Sequence, residues 1–253
     1  MVKGLSVFRT YFENYTENFV VIGGTACFLS MENAGVPFRV TKDIDIVLLI
    51  EAIDTPFVET IWKFIKDGRY QVREKESGKK QLYRFLKPEN PDYPFMIEFF
   101  SRKPDMLEIS GSSTVTPVPT DETLSSLSAI LLDYDYYQFI RSGKIILEGI
   151  PSVRPEHLIP LKAKAFLDLS ERRERGENID SRDISKHKND IFRLTMIADP
   201  EFKADLPEKI SDDMKVFIEK MNMETVDLKA LGLKGISKES ILERLMQIVA
   251  LPR

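Results

Sequence analysis

Two aspartates, Asp43 and Asp45, stand two residues apart where an apolar run over residues 44–50 begins. Side chains alternate along a strand, so both carboxylates project to one side. Adjacent carboxylates repel unless a cation lies between them. Mg²⁺ takes one or two carboxylates together with phosphate oxygens, which suits this pair. Upstream, Val21-Ile22-Gly23-Gly24-Thr25-Ala26 puts two glycines between a short apolar strand and a helix. Glycine lets backbone approach a ligand closely. The free N–H groups of the following turn can face a phosphate, and Thr25 adds a hydroxyl donor. A third carboxylate, Glu98, lies within Phe95-Met96-Ile97-Glu98-Phe99-Phe100. A lone charge in such a strand is costly to bury, which favours a place beside Asp43 and Asp45 on an adjacent strand. Each piece also has a plainer reading. The glycines make a tight turn, the aspartates are solvated charges, and Glu98 sits on a solvated face or pairs with Arg84 or Arg102.

The elements that must position these groups follow from periodicity. Leu5, Phe8, Phe12 and Tyr15 recur at helical spacing and predict an amphipathic helix over residues 4–18. Phe19-Val20-Val21-Ile22 is a short buried strand, and residues 25–33 read as a helix with Thr25 near its start. Residues 44–50 are a strand buried on both faces. Residues 55–66 predict a helix. Residues 70–74, 81–86 and 95–100 predict strands, with a charged turn containing Gly78 between the first two. Residues 127–132 read as a strand, with a helix as the alternative, and residues 145–147 as a short strand. After about residue 154 the pattern turns helical: 155–169 with Pro155 at the first helical position, a charged break over 172–178, 181–197 capped by Ser181, then 207–221 and 237–249. The expected class is α+β: a mixed β-sheet flanked by helices in residues 1–154, then a helical domain in residues 155–253.

Composition sets outer limits. The chain has 253 residues, 43% apolar and 30% charged, which fits one large globular domain or two modest ones. A net charge of −4 argues against general nucleic-acid coating and leaves room for a local basic patch. The single cysteine, Cys27, precludes an intramolecular disulfide and fits a reducing cytoplasm. The first residues lack an apolar signal core, and no apolar run reaches about 18 residues, so a cytoplasmic protein with no membrane partner is expected. His157 and His187 form no metal-ligand pattern.

Taken together, Gly23-Gly24-Thr25-Ala26, then Arg39-Val40-Thr41-Lys42-Asp43-Ile44-Asp45, then Glu98 resembles the DNA polymerase beta-like nucleotidyltransferase superfamily. Within it the string looks like the AbiEii/AbiGii toxin branch, where an arginine and a threonine precede the acidic pair at these offsets. The gap from Gly24 to Asp43 is longer than in minimal members and accommodates a longer helix. Leu158-Ile159-Pro160-Leu161-Lys162-Ala163-Lys164-Ala165 looks like that branch's lysine-x-x-alanine helix, with Lys162 as the matching lysine. Leu169 stands where the branch has an arginine, and Arg172 or Arg173 is the nearest substitute. Arg182-Asp183-Ile184-Ser185-Lys186 resembles its Asp-x-x-Asp motif. Asp183 matches, Lys186 replaces the second aspartate, and Asp190 is the alternative. The resemblance runs to about Leu194.

The resemblance implies a nucleotidyltransferase-fold sheet and metal-dependent transfer of a nucleoside monophosphate from a nucleoside triphosphate to an acceptor hydroxyl. Asp43, Asp45 and Glu98 would bind two Mg²⁺ ions, with Mn²⁺ as a substitute. Those three, with Lys162 and Asp183, would be catalytic. Gly23, Gly24, Thr25, Arg39, Thr41 and Lys162 would hold the nucleotide. The acceptor would be an RNA or transfer-RNA end or a protein, and the enzyme would be a toxin restrained by an antitoxin protein. The competing reading is a catalytically inactive nucleotidyltransferase fold that binds nucleotide or protein. For Lys162 a surface lysine with a snorkelling head is the plainer alternative. Lys186-His187-Lys188 reads as an RNA contact or a solvated face, and Tyr134, Tyr136 and Tyr137 as base-stacking or packing rings.

Overall fold

In the computed structural model, residues 2–71, 82–101 and 133–250 are described, and the chain divides into two compact units. The described part of Met1–Leu132 joins Lys144–Val153 in the first. The described parts of Asp133–Gly143 and Arg154–Arg253 form the second.

The first unit is built on a six-stranded mixed sheet: β1 (Phe19–Ile22), β2 (Asp43–Leu48), β3 (Leu82–Leu86), β4 (Met96–Phe100), β5 (Lys144–Leu147) and β6 (Ile150–Val153). The strand order is β3-β4-β2-β1-β6-β5. β2 is antiparallel to β1 and parallel to β4, while β1 is parallel to β6. The helices of this unit are α1 (Leu5–Phe12), extended by a 3-10 turn Glu13–Tyr15, α2 (Gly23–Asn33) and α3 (Thr55–Asp67). α3 starts where Asp54 accepts a hydrogen bond from the Phe57 amide at 2.9 Å, with proline in its first turn. Its buried residues Phe57, Val58, Ile61, Phe64 and Ile65 form one stripe.

That stripe and α1 cover one face of the sheet. The Phe19 ring lies 5.6 Å from Phe8, 5.8 Å from Phe12 and 6.1 Å from Phe57. Further along, Trp62 of α3 meets Phe85, and Phe85 meets Phe99. Strand alternation then fixes the other face. A lateral row of register partners, Ile22, Asp45, Glu98 and Arg84, crosses four strands opposite the aromatic cluster.

The second unit contains α4 (Tyr134–Ser142), α5 (Pro155–Glu174), α6 (Ser181–Ile197), α7 (Glu208–Met223) and α8 (Lys238–Ile248). α5 packs on α4, α6 and α7, and α6 packs on α8. Asp213 of α7 ties that helix to α4 and α5: it accepts from Tyr136 Oη at 2.8 Å and from Lys164 Nζ at 2.9 Å. Phe166 and Phe217 close edge to face at 5.4 Å.

Several boundaries differ from the sequence expectation. β2 starts at Asp43 and stops at Leu48. α2 begins at Gly23 with no intervening turn. α5 runs through the charged segment to Glu174, because Arg172 and Arg175 pair with Asp168 and Glu171 one turn back. α6 is capped by Asp180, which accepts from the Arg182 amide at 2.8 Å, so Ser181 is its first residue and not its cap. Of residues 70–74, Gln71 forms an isolated bridge to Leu86. The expected turn over 75–80 and the strand over 127–132 lie outside the described residues. β6 and α4 were not anticipated. Pro151 obscures β6, because proline reads as an edge or a non-strand residue. The aromatic run of α4 has weak helix propensity, although Asp133 caps it.

One pH dependence follows from α5. His157 is buried, stacks on Phe139 at 4.3 Å, and has Nε2 3.3 Å from Ser142 Oγ. Its Nδ1 has no hydrogen-bond partner among the described residues. Burial, helped by the nearby Arg154 charge, pushes its pKa down from 6.5 to about 4. The unfolded chain therefore takes up a proton that the folded chain refuses. The stability contribution is complete above about pH 6.5 and is lost as pH falls towards 4, on the order of 3 kcal/mol. Calorimetric melting at pH 7.5, 5.5 and 4.5 should show wild type losing more stability than His157→Gln. Parallel pH curves would contradict this.

Candidate functional site

The site begins where β1 ends. Gly23 follows Ile22 with φ +68°, a left-handed backbone that favours glycine. Space demands glycine as well. A Cβ on Gly23 would lie 1.9 Å from Asp45 Oδ2. A Cβ on Gly24 would lie 2.8 Å from Thr41 Oγ1 and 3.6 Å from Arg39 Nη2. The fold therefore draws Gly23, Gly24, Arg39, Thr41 and Asp45 together. Arg39 also lies over the Phe38 ring at 5.2 Å. Thr25 is fully buried and its hydroxyl donates to the Asp43 carbonyl at 2.6 Å. That bond ties the first turn of α2 to the first residue of β2. It sets Asp43 in place and engages the hydroxyl expected as a donor to phosphate.

Asp43 is half-buried at the entrance of β2, and Asp45 is 9% exposed on the same face. Glu98 is 4% exposed and stands in register beside Asp45 on parallel β4. It also accepts a hydrogen bond from Arg84 Nε, in register on antiparallel β3. Two of the sequence readings for Glu98 thus hold at once: it lies beside the acidic pair and it is paired with Arg84. Among the described residues, no three His, Cys, Asp or Glu side chains are gathered as a metal-ligand set. Asp43 and Asp45 nevertheless suit a hard cation. Their donors are all oxygen, and Mg²⁺ needs only one or two carboxylates when phosphates complete its shell.

Lys162 and Asp183 belong to the second unit. Lys162 is not a surface lysine. Its Nζ donates to Asp190 Oδ2 at 3.0 Å, with side chains 6% and 0% exposed. Arg193 Nη1 lies 4.0 Å from the other Asp190 oxygen. Asp183 is exposed and pairs at 2.9 Å with Lys186, the residue that replaces the motif's second aspartate. Arg172, considered as a substitute for the missing arginine, bonds Glu177 at 2.8 Å. Lys186-His187-Lys188 does not make an open basic face: Lys186 pairs with Asp183, Lys188 with Glu224, and His187 is buried. Tyr136 and Tyr137 are buried packing rings, and Tyr134 alone of the three is exposed.

Arg84 is the site residue whose importance sequence reasoning understated. The signal was there: two lone opposite charges, Arg84 and Glu98, each in an otherwise apolar strand. Asp213 could not have been found this way, because its partners lie on helices distant in sequence.

Six strands in one mixed sheet, with helices packed against it, make the first unit a mixed α/β fold. The chain is similar in structure to an antigenic nucleotidyltransferase-like protein from Paracoccidioides brasiliensis, with TM-score 0.45 and 15% identity, covering 94% of each chain. It is also similar to JHP933 from Helicobacter pylori, with TM-score 0.41 and 13% identity, covering 96% of this chain and 87% of that one. No family model and no curated protein matches the sequence. No helix among the described residues is long and apolar enough to cross a membrane.

Proposed function

We propose that the first unit is a metal-dependent nucleotidyltransferase domain that moves a nucleoside monophosphate from a nucleoside triphosphate to an acceptor hydroxyl. The observation that carries this reading is the packing of Gly23 and Gly24 against Asp45, Thr41 and Arg39. Asp43 and Asp45 would hold Mg²⁺, or Mn²⁺ in its place. When bound, the ion neutralises triphosphate charge and lowers the pKa of the attacking hydroxyl. The chain's own groups do the positioning. Gly23 and Gly24 let Asp45, Thr41 and Arg39 pack against the start of α2, where the first N–H groups have no partner within the helix and favour anions. Arg39 brings a cation beside Gly24. The acceptor oxygen bonds to the α-phosphorus in line, the bond to the bridging oxygen breaks, and pyrophosphate leaves.

Lys162 and Asp183 enter this reading through the sequence resemblance alone. The buried bond from Lys162 to Asp190 gives Lys162 a structural role first. We extend the proposal to a toxin-type enzyme that acts on an RNA end or a protein hydroxyl and is silenced by an antitoxin. The toxin-branch string Arg39-Val40-Thr41-Lys42-Asp43-Ile44-Asp45 supports that extension. A second reading, nucleotide binding without transfer, is favoured by the hold of Arg84 on Glu98 and by Lys186 in the motif.

The test is transfer of label from each α-phosphate-labelled nucleoside triphosphate, with Mg²⁺, to total RNA and to protein. Wild type should label one acceptor class, and Asp43→Asn/Asp45→Asn should reduce labelling by roughly a hundredfold or more. Undiminished labelling in the double variant would sink the proposal. Nucleotide binding with no labelling of any acceptor would select the second reading.

A further inference from the structure

Resting on the proposed metal and nucleotide site, we infer that Arg84 is a positioning residue that withholds Glu98 from the metal and leaves a site with one tightly bound divalent ion. Asp45 and Glu98 are register partners on neighbouring parallel strands, which lie about 4.8 Å apart. Both are buried, at 9% and 4% exposure. Two carboxylates so placed repel one another, and nearby positive charge offsets that repulsion. Arg84 supplies it to Glu98 from the strand on the far side, through a charge-assisted bond between side chains 23% and 5% exposed. An ion bridging Asp45 and Glu98 has to draw the glutamate away from a fixed guanidinium. The row Asp45, Glu98, Arg84 therefore places an arginine where a second ion's charge would otherwise be required.

The probe is Mn²⁺, counted by electron paramagnetic resonance with saturating α,β-methylene nucleoside triphosphate of each base. Wild type should bind one ion tightly and in a nucleotide-dependent way, with any second ion at least roughly tenfold weaker. Glu98→Gln keeps an acceptor for Arg84 and should leave the tight ion unchanged. Arg84→Gln should tighten the second ion by roughly tenfold or more, and adding Glu98→Gln should remove the gain. Arg84→Gln leaves a buried carboxylate without its guanidinium, so its fold is checked by circular dichroism. If it does not fold, the Glu98→Gln count decides. Two ions of equal affinity in wild type would overturn the inference. So would loss of the tight ion in Glu98→Gln, or a folded Arg84→Gln that gains nothing. A folded wild type that binds no Mn²⁺ with any nucleotide fails differently, because the metal site itself then falls.

Discussion

Lys162→Met is expected to destabilise the protein by about 3–5 kcal/mol, because it removes the hydrogen-bonded cation beside a buried carboxylate. Asp190 has no exposed side-chain surface, and its Oδ2 accepts from Lys162 Nζ at 3.0 Å. Methionine fills similar volume and removes only the charge and the donors. Arg193, 4.0 Å from the other oxygen, is too far to replace that hydrogen bond without rearrangement. The effect should appear in calorimetry as a fall in melting temperature of roughly 6–20 °C. Lys162→Met/Asp190→Leu should recover most of the loss, because a buried pair replaced by apolar groups is often neutral or better. A single variant within about 1 kcal/mol of wild type would contradict this, as would a double variant no better than the single.

Gly23→Ala carries the second large effect, and it falls on the site. The left-handed backbone alone costs alanine about 1–2 kcal/mol. The added Cβ would also sit 1.9 Å from Asp45 Oδ2, so the carboxylate must swing away from its buried position. We expect at least roughly tenfold weaker Mg²⁺-nucleotide binding, with a folding cost of about 1–3 kcal/mol. Gly24→Ala is the internal comparison. Its Cβ meets Thr41 Oγ1 at 2.8 Å, the tip of a small side chain that can turn aside, and its backbone is not left-handed. It should therefore fold more nearly like wild type and weaken binding less. Equal binding by Gly23→Ala and wild type would refute the role assigned to this turn, and the reverse order of the two variants would do the same.

Much of the sheet was legible because its strands are short apolar runs with clear stops. Phe19–Ile22 forms a strand as its composition indicates, and Glu98 stands beside Asp45 as the cost of burying it requires. Helices α5 to α8 of the second unit were legible from their stripes, to within a few residues at most ends, whereas α4 was not. Misreadings arose where local chemistry pointed two ways. The charged segment after Leu169 looked like a break, yet i,i+4 pairs carry the helix to Glu174. Thr25 looked like a hydroxyl donor for phosphate, yet its hydroxyl bonds the Asp43 carbonyl, a partner that only the folded chain brings near. Lys162 had helical spacing compatible with a surface position. Its burial depends on Asp190 of another helix, which no local pattern reports.

The most direct measurement is calorimetric titration of each nucleoside triphosphate into the protein, with and without Mg²⁺, for wild type and for Asp43→Asn/Asp45→Asn. Binding of at least one nucleotide should require Mg²⁺ in wild type and vanish in the folded double variant. Binding that ignores Mg²⁺ and survives the double substitution would contradict the assignment of Asp43 and Asp45. Absence of binding to every nucleotide by folded wild type would contradict the nucleotidyltransferase reading itself.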